Sequence, residues 1–233
     1  MSSTIIIKAI DVHKIYTGGK IKVHALRGVN LSIQKGEMVT IMGPSGCGKT
    51  TLLNCLSGLD EVTTGSVEVE GEALTDMPEN DKTYYRARHM GFIFQFYNLL
   101  PVLTALENVE LPLLISHEKP SVAHEKAREA LSEVGLKGWE NHRPAELSGG
   151  QRQRVTIARS LVNDPLIVFG DEPTGDLDRE TTQDILDIIC RLNKEKNQTF
   201  ILVTHDPQVA ERTHRILKME NGVIIQETQS SRG

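Results

Sequence analysis

Cysteine is scarce in this chain: Cys47, Cys55 and Cys190 are the only three in 233 residues. They show no metal-type spacing and are too scattered for a disulfide framework, so a reducing, cytosolic setting with small buried thiols is expected. Long apolar runs are missing as well. Nothing approaches the stretch of about twenty apolar residues that spans a bilayer, and Met1–Ile10 holds only the short run Ile5–Ile7, without a signal-peptide layout. A soluble chain is expected, with any membrane role coming through a partner. Positive charge is not in excess: 26 Lys and Arg face 31 Asp and Glu, a formal net charge of −5. That argues against general nucleic-acid binding, which needs a basic face. No internal repeat and no low-complexity linker occurs. What is present is enough length, and at 39% enough apolar content, to bury a core of one or two domains.

Against that background one stretch stands out: Gly43–Pro44–Ser45–Gly46–Cys47–Gly48–Lys49–Thr50–Thr51. It follows the apolar run Met38–Met42 and leads into Leu52–Leu56. The pattern is G-x-x-x-x-G-K-[ST], set between a buried strand and a helix start, where its physics requires it. Glycines let the backbone approach a phosphate chain without a Cβ penalty. The N–H groups at the helix start then point at the anion, and the helix dipole adds to the attraction. Lys49 supplies a point charge for the outer phosphates and the Thr50 hydroxyl a ligand for Mg²⁺. Binding of a nucleoside triphosphate is the expectation.

The N-terminal part reads as antiparallel β-structure. Ile5–Asp11 continues through Lys14–Tyr16 to a turn at Thr17–Gly18–Gly19, with Val23–Leu26 and Val29–Ile33 as further strands. Tyr16 is either a half-buried strand aromatic or a stacking platform for a base. Gly65–Gly71 alternates like a half-exposed strand, Glu79–Ala87 reads as a charged helix, and Met90–Gln95 as a buried strand. From Leu99 the character turns helical. Thr104 with Glu107 forms a capping-box pattern; Val122–Val134 puts Ala123, Ala127, Ala130, Leu131 and Val134 on one face, with Gly135 as its stop. A further helix buries Val155, Ala158, Leu161 and Val162. Leu166–Phe169 and Thr199–Thr204 read as central parallel strands, around a helix from about Arg179 to Lys196. Asn221–Gly222 marks a closing hairpin, and Ser230–Gly233 is expected to fray.

The buried strands end in Gln95, Asp171–Glu172 and His205, and a fourth feeds the Gly-rich loop. Ligands of a parallel sheet bind beyond the carboxyl ends of its strands, so all four ends are expected to face one ligand. Asp171 is the natural partner of Mg²⁺ together with Thr50. Glu172 beside it is placed to deprotonate a water, unless it is a solvated loop acid. His205 reads equally as structural or catalytic.

Leu147–Ser148–Gly149–Gly150–Gln151 completes the picture. The chain resembles the ABC-type ATPases over essentially its whole length, with that pentapeptide as the family signature. The resemblance implies an α/β fold: a P-loop NTPase (RecA-like) core with an N-terminal antiparallel β-subdomain and an inserted α-helical subdomain. Residues 1–95 and 163–233 would form the core and β-subdomain, and 96–162 the helical part. It also implies ATP as ligand, with Tyr16 stacking on adenine and Gln95 as the Q-loop glutamine at the nucleotide and its metal. Asp171 would be the Walker B aspartate, Glu172 the catalytic glutamate, Gly175–Asp178 the D-loop and His205 the H-loop histidine. Ser148, Gly149, Gly150 and Gln151 would complete the ATP site of a second copy in a head-to-tail dimer.

A narrower resemblance, to the lipoprotein-release and macrolide-export branch, rests on Phe94–Pro101, Leu103–Val109, Ser57–Asp60, His142–Glu146 and the long first hairpin through Lys20. It implies an ATPase on the inner face of the cell membrane, held there by an integral-membrane permease with a large extracytoplasmic domain. A periplasmic adaptor could join through that permease. The apolar stretch Phe96–Leu103 would line the permease groove, pack between subdomains, or do both. The alternatives are a cell-division ATPase that regulates cell-wall hydrolases through a similar permease, and a non-transport ABC ATPase. The latter carries a coiled-coil arm or tandem cassettes, and the span of roughly fifty residues between Gln95 and Leu147 is too short for an arm.

Overall fold

The computed structural model describes residues 4–19 and 21–230. Lys20 and residues 231–233 of the expected fray lie outside the described residues; Ser230, the first of that expected fray, is held instead, its N–H donating to the His214 carbonyl at 2.8 Å. In chain order the elements are β1 (Ile5–Gly18), β2 (Ile21–Gln34), β3 (Met38–Met42), α1 (Lys49–Leu56), β4 (Thr64–Val69), β5 (Glu72–Ala73), α2 (Glu79–His89), β6 (Met90–Phe94), α3 (Ala105–Ile115), α4 (Pro120–Glu133), α5 (Gly149–Leu161), β7 (Ile167–Asp171), α6 (Arg179–Lys196), β8 (Thr199–Val203), α7 (Pro207–Ala210), β9 (Arg215–Glu220) and β10 (Val223–Gln229). They fall into two compact units. One takes the described residues up to Lys82 and those from Asn193 onward; the other is Thr83–Leu192.

In the first unit, alternating side chains build an antiparallel sheet in the order β2-β1-β4-β5, with Ile7, Leu26, Leu31, Ile33 and Val69 buried. The separate strands expected at Val23–Leu26 and Val29–Ile33 are one strand, β2, which runs past Gly28 at φ 78°. Pairing with β1 shifts register between Ala9 and Val12 and again between Val12 and His13. The Asp11 N–H, displaced from the ladder, donates to Asn30 Oδ1 at 3.0 Å. Bulges of this kind interrupt the two-residue period and so disguise one long strand as two short ones.

The same unit holds β3 between β9 and β8 and parallel to both. These are short apolar strands because they are buried along almost their whole length. β9 and β10 pair antiparallel around Asn221–Gly222, whose φ values of 49° and 82° are those of the expected two-residue hairpin.

In the second unit β6 and β7 pair in parallel from Met90–Ile167 to Phe94–Asp171. Three helices, α3, α4 and α5, pack on one another, and α5 lies against β6. Gly91 permits that approach, since a Cβ there would meet the Ser160 carbonyl. The Thr104–Glu107 capping box forms as expected: Thr104 Oγ1 accepts from the Glu107 N–H at 3.2 Å and Glu107 Oε2 from the Thr104 N–H at 2.8 Å. α4 begins earlier than the expected Val122, at Pro120, whose fixed φ suits the first helical position. Its buried face is Ala123, Ala127, Ala130 and Leu131, as expected. The architecture is the α/β one implied by the sequence, a P-loop NTPase core with an antiparallel β-part and a helical part.

Candidate nucleotide-binding site

β3 delivers the chain to Gly43, and α1 starts at Lys49. The N-cap is Gly48 at φ 106°, and no side-chain hydrogen bond caps the helix among the described residues. The donors of the first turn are thereby presented to an anion rather than to a serine or threonine hydroxyl. Glycine is required sterically too. A Cβ on Gly48 would stand 2.5 Å from the Ala25 carbonyl, and one on Gly43 would meet the Met219 carbonyl. Lys49, only 8% exposed, donates from Nζ to the Gly43 carbonyl at 2.9 Å and the Pro44 carbonyl at 3.0 Å. Its charge therefore lies inside the loop, alongside the backbone donors. Pro44, Ser45, Gly46 and Thr50 are exposed, Thr51 is half-buried, and Cys47 is buried with its carbonyl accepting from the Gly222 N–H at 2.9 Å. The cradle fits a phosphate chain in the chemistry of its donors and in the space its glycines keep clear.

Tyr16 stands opposite Val23 in the β1–β2 ladder and is 41% exposed, so it is both a strand aromatic and an accessible ring. Its hydroxyl donates to Asp60 Oδ2 at 2.6 Å, while Lys14 Nζ donates to Asp60 Oδ1 at 2.6 Å and lies 4.9 Å from the ring centroid. Burial, and then the bond to Asp60, push the Tyr16 phenol above its usual value; a hydrogen bond with Thr51 works the other way and ties the ring to the Gly-rich loop. For Asp60, burial pushes up, but the Lys14 and Tyr16 bonds outweigh it and hold the carboxyl below the usual range. His205, exposed, lies two residues past the end of β8 and precedes Asp206, which caps α7 by accepting from the Gln208 N–H at 2.8 Å.

The second unit gathers the other residues. Because Phe94 pairs with Asp171, Gln95 and Glu172 leave adjacent strand ends together. Gly175 shows how near they come: a Cβ built there would lie 3.2 Å from Gln95 Nε2 and 3.4 Å from the Glu172 Cβ. Glu172 has a left-handed backbone, φ 47°, a conformation that costs a non-glycine residue on the order of 1 kcal/mol and marks a locally constrained site. Asp171 and Glu172 are half-buried.

Ser148–Gln151 is its own helix cap. Ser148 Oγ accepts from the Gln151 N–H at 3.2 Å, and Gln151 Oε1 accepts from the Ser148 N–H at 2.9 Å. Ser148 stays exposed, Gly149 and Gly150 half-buried. Gly149 has Tyr97 Oη 3.2 Å and Leu177 Cδ2 3.5 Å from the position of a Cβ, and Gly150 has Thr181 Cγ2 at 2.5 Å.

Two supports escaped the sequence reading. Arg159, near the end of α5, donates to the Asn98 carbonyl at 2.6 Å and the Tyr97 carbonyl at 2.8 Å, fixing the loop that follows Gln95. Burial lowers its guanidinium below the usual arginine range. Arg152 adds a guanidinium 4.9 Å over the Tyr97 ring. Asn108, 1% exposed, accepts from the Leu100 N–H at 2.8 Å and donates to the carbonyls of Leu100, Leu103 and Thr104 at 3.1, 3.2 and 2.9 Å. No local pattern distinguishes either residue from a surface arginine or a helix-interior asparagine. Among the described residues no helix is long and apolar enough to cross a membrane.

The sequence profile described as ABC transporter matches residues 26–175. An uncharacterized ABC transporter ATP-binding protein of Methanocaldococcus jannaschii, MJ1508, is 46% identical over 94% of this chain and 98% of its own. The lipoprotein-releasing system ATP-binding protein LolD of Saccharophagus degradans is 45% identical over 97% of this chain and 100% of its own. Among solved structures, the dimeric MJ0796 cassette in a post-hydrolysis state with ADP and Pi superposes with a TM-score of 0.90 at 41% identity, covering 98% of this chain and 100% of that one. A second dimeric structure of MJ0796, a bacterial ABC transporter cassette, gives 0.90 at 42% identity over the same shares. With the Gly-rich cradle and the self-capped signature helix both formed, and with relatives of this closeness along nearly its full length, the chain belongs to the ABC transporter family as an ATP-binding, ATP-hydrolysing protein of the LolD-like branch.

Proposed function

We propose that the chain works as a head-to-tail homodimer that powers a separate integral-membrane permease in the release or export of a lipophilic substrate, a lipoprotein in the first place. The observation that carries this reading is a pair of helix starts in one chain: Gly43–Lys49, which no side chain caps, and a signature whose Ser148 stays exposed after capping its own helix. Two such starts serve one γ-phosphate when each copy lends its signature to the other. The LolD relatives, named for lipoprotein release, and the dimeric MJ0796 cassettes support it.

In this reading residues 1–95 and 163–233 form the catalytic core and 96–162 the helical signature part. Tyr16 stacks on the adenine, while Lys49 and the Gly43–Thr51 backbone hold the phosphates. Thr50, Asp171 and Gln95 offer the oxygen donors that suit Mg²⁺, which would offset the charge developing on the phosphates. Glu172 takes a proton from the attacking water, and His205 lies beside the terminal phosphate. Ser148, Gly149, Gly150 and Gln151 of the second copy close the site. Closed and open dimers differ in affinity for ATP, so binding and hydrolysis shift the population between them. The dimer sits on the inner face of the membrane through the permease, which contacts the exposed Phe96 and Val102; a periplasmic adaptor joins through that permease, and nucleic acid has no part.

Replacing Ser148 by arginine tests the shared site. Ser148→Arg should abolish ATP-dependent dimerisation, read by light scattering, while nucleotide still binds the single chain. A variant that dimerises with ATP as the parent does would overturn the reading.

A further inference from the structure

Gln153 lies on α5 and is 1% exposed. A buried amide needs its hydrogen bonds made, because leaving either end unpaired costs about 1–3 kcal/mol. Nε2 donates to the Pro173 carbonyl at 2.5 Å, and Oε1 lies 3.3 Å from the Thr156 hydroxyl, which it shares with the Gln153 backbone carbonyl at 2.8 Å. The amide orientation follows from its partners: the carbonyl of Pro173 can only accept, so the NH₂ must be the end that meets it.

Pro173 follows Glu172, and that position is doubly unfavourable for an unsupported chain. Glu172 is left-handed at φ 47°, and a residue before proline is pushed toward extended backbone by the proline ring. Two hydrogen bonds bracket the pair and oppose this tendency. The Gly175 N–H donates to the Glu172 carbonyl at 3.1 Å, and Gln153 holds the carbonyl one residue further on.

We propose that Gln153 is a positioning residue for hydrolysis: by anchoring the Pro173 carbonyl it keeps the Glu172 backbone left-handed and its carboxylate aimed at the attacking water. This deepens the reading of Glu172 as the base and rests on it. Gln153, buried at 1% exposed and bonded to the Pro173 carbonyl, acts through the loop.

The test uses the full chain with four variants, Gln153→Leu, Gln153→Glu, Glu172→Gln and the double Gln153→Leu/Glu172→Gln, read by phosphate release and equilibrium ATP binding. Gln153→Leu should lower kcat about 10- to 100-fold, the loss typical of a displaced catalytic group, with ATP affinity unchanged. In the Glu172→Gln background it should cost nothing more, because the group it aims is already gone. Gln153→Glu presents an acceptor to the Pro173 carbonyl when ionised and a donor when protonated, and burial favours protonation. Its turnover relative to the parent should therefore rise as pH is lowered. Losses that multiply in the double variant, a changed affinity with unchanged kcat, or a flat Gln153→Glu ratio would each overturn the proposal. Where Gln153→Leu does not fold, the Gln153→Glu profile decides alone. Full turnover in Glu172→Gln would remove the base assignment and this proposal with it. Lost turnover there, with Gln153→Leu unaffected, would remove this proposal only.

Discussion

Phe94 and Asp171 are direct partners in the parallel β6–β7 pair, so the polar residues that follow them, Gln95 and Glu172, leave the sheet side by side. A Cβ added at Gly175 would come within van der Waals reach of both side chains. This arrangement makes the role of Glu172 testable by one change of atom. Glu172→Gln keeps the shape and removes the proton acceptor. Hydrolysis should fall by about 10²–10⁴, the range of a general base, while ATP binding persists and an ATP-bound dimer accumulates on size-exclusion chromatography. Phosphate release at the parent rate would dismiss Glu172 as the base.

The Lys14–Asp60–Tyr16 network predicts a pH dependence of stability. The Asp60 carboxyl is held below its ordinary value in the folded chain, so the folded state favours its charged form. That contribution is complete above the unfolded value, about 4, and is lost as pH falls through the lower folded value. Lys14→Met removes the ammonium bonded to it. The variant should be less stable near neutrality, and the gap to the parent should narrow as pH drops below about 4. Melting curves across that range would show it; a gap of constant size would assign the effect to packing instead.

Asn108 predicts a stability loss at a position with no catalytic part. Asn108→Ala leaves four backbone groups of the Leu100–Thr104 segment without their side-chain partner. A loss of about 2–3 kcal/mol is expected, the net of several hydrogen bonds and the exposed remainder. The melting temperature should fall while ATP affinity is preserved. An unchanged melting temperature would show that water replaces the amide at no cost.

How much of this was legible in the sequence depended on range. The Gly43–Thr51 loop, the Thr104 cap and the Asn221–Gly222 turn are local: each is specified by residues within a few positions of one another, and each formed as expected. The long β1–β2 hairpin was obscured because bulges near Asp11 and Gly28 break the alternation that defines a strand. α7 was missed because a four-residue helix has no period to detect. At the site the hidden part was the supporting structure. Arg159 reaches residues about sixty positions back, and Gln153 reaches twenty forward. Neither the left-handed backbone of Glu172 nor the clamp on Tyr97 and Asn98 leaves a mark on its neighbours in sequence.

The self-capped signature has a kinetic corollary. Ser148 and Gln151 hold each other by two hydrogen bonds within one chain, so this helix start is already ordered before any second molecule arrives. The conformational entropy of that turn is settled during folding and need not be charged to association. In the proposed dimer, pairing of two ATP-loaded copies should therefore run at the ordinary docking rate of preformed protein surfaces, roughly 10⁵–10⁷ M⁻¹s⁻¹, with no slow ordering phase before it.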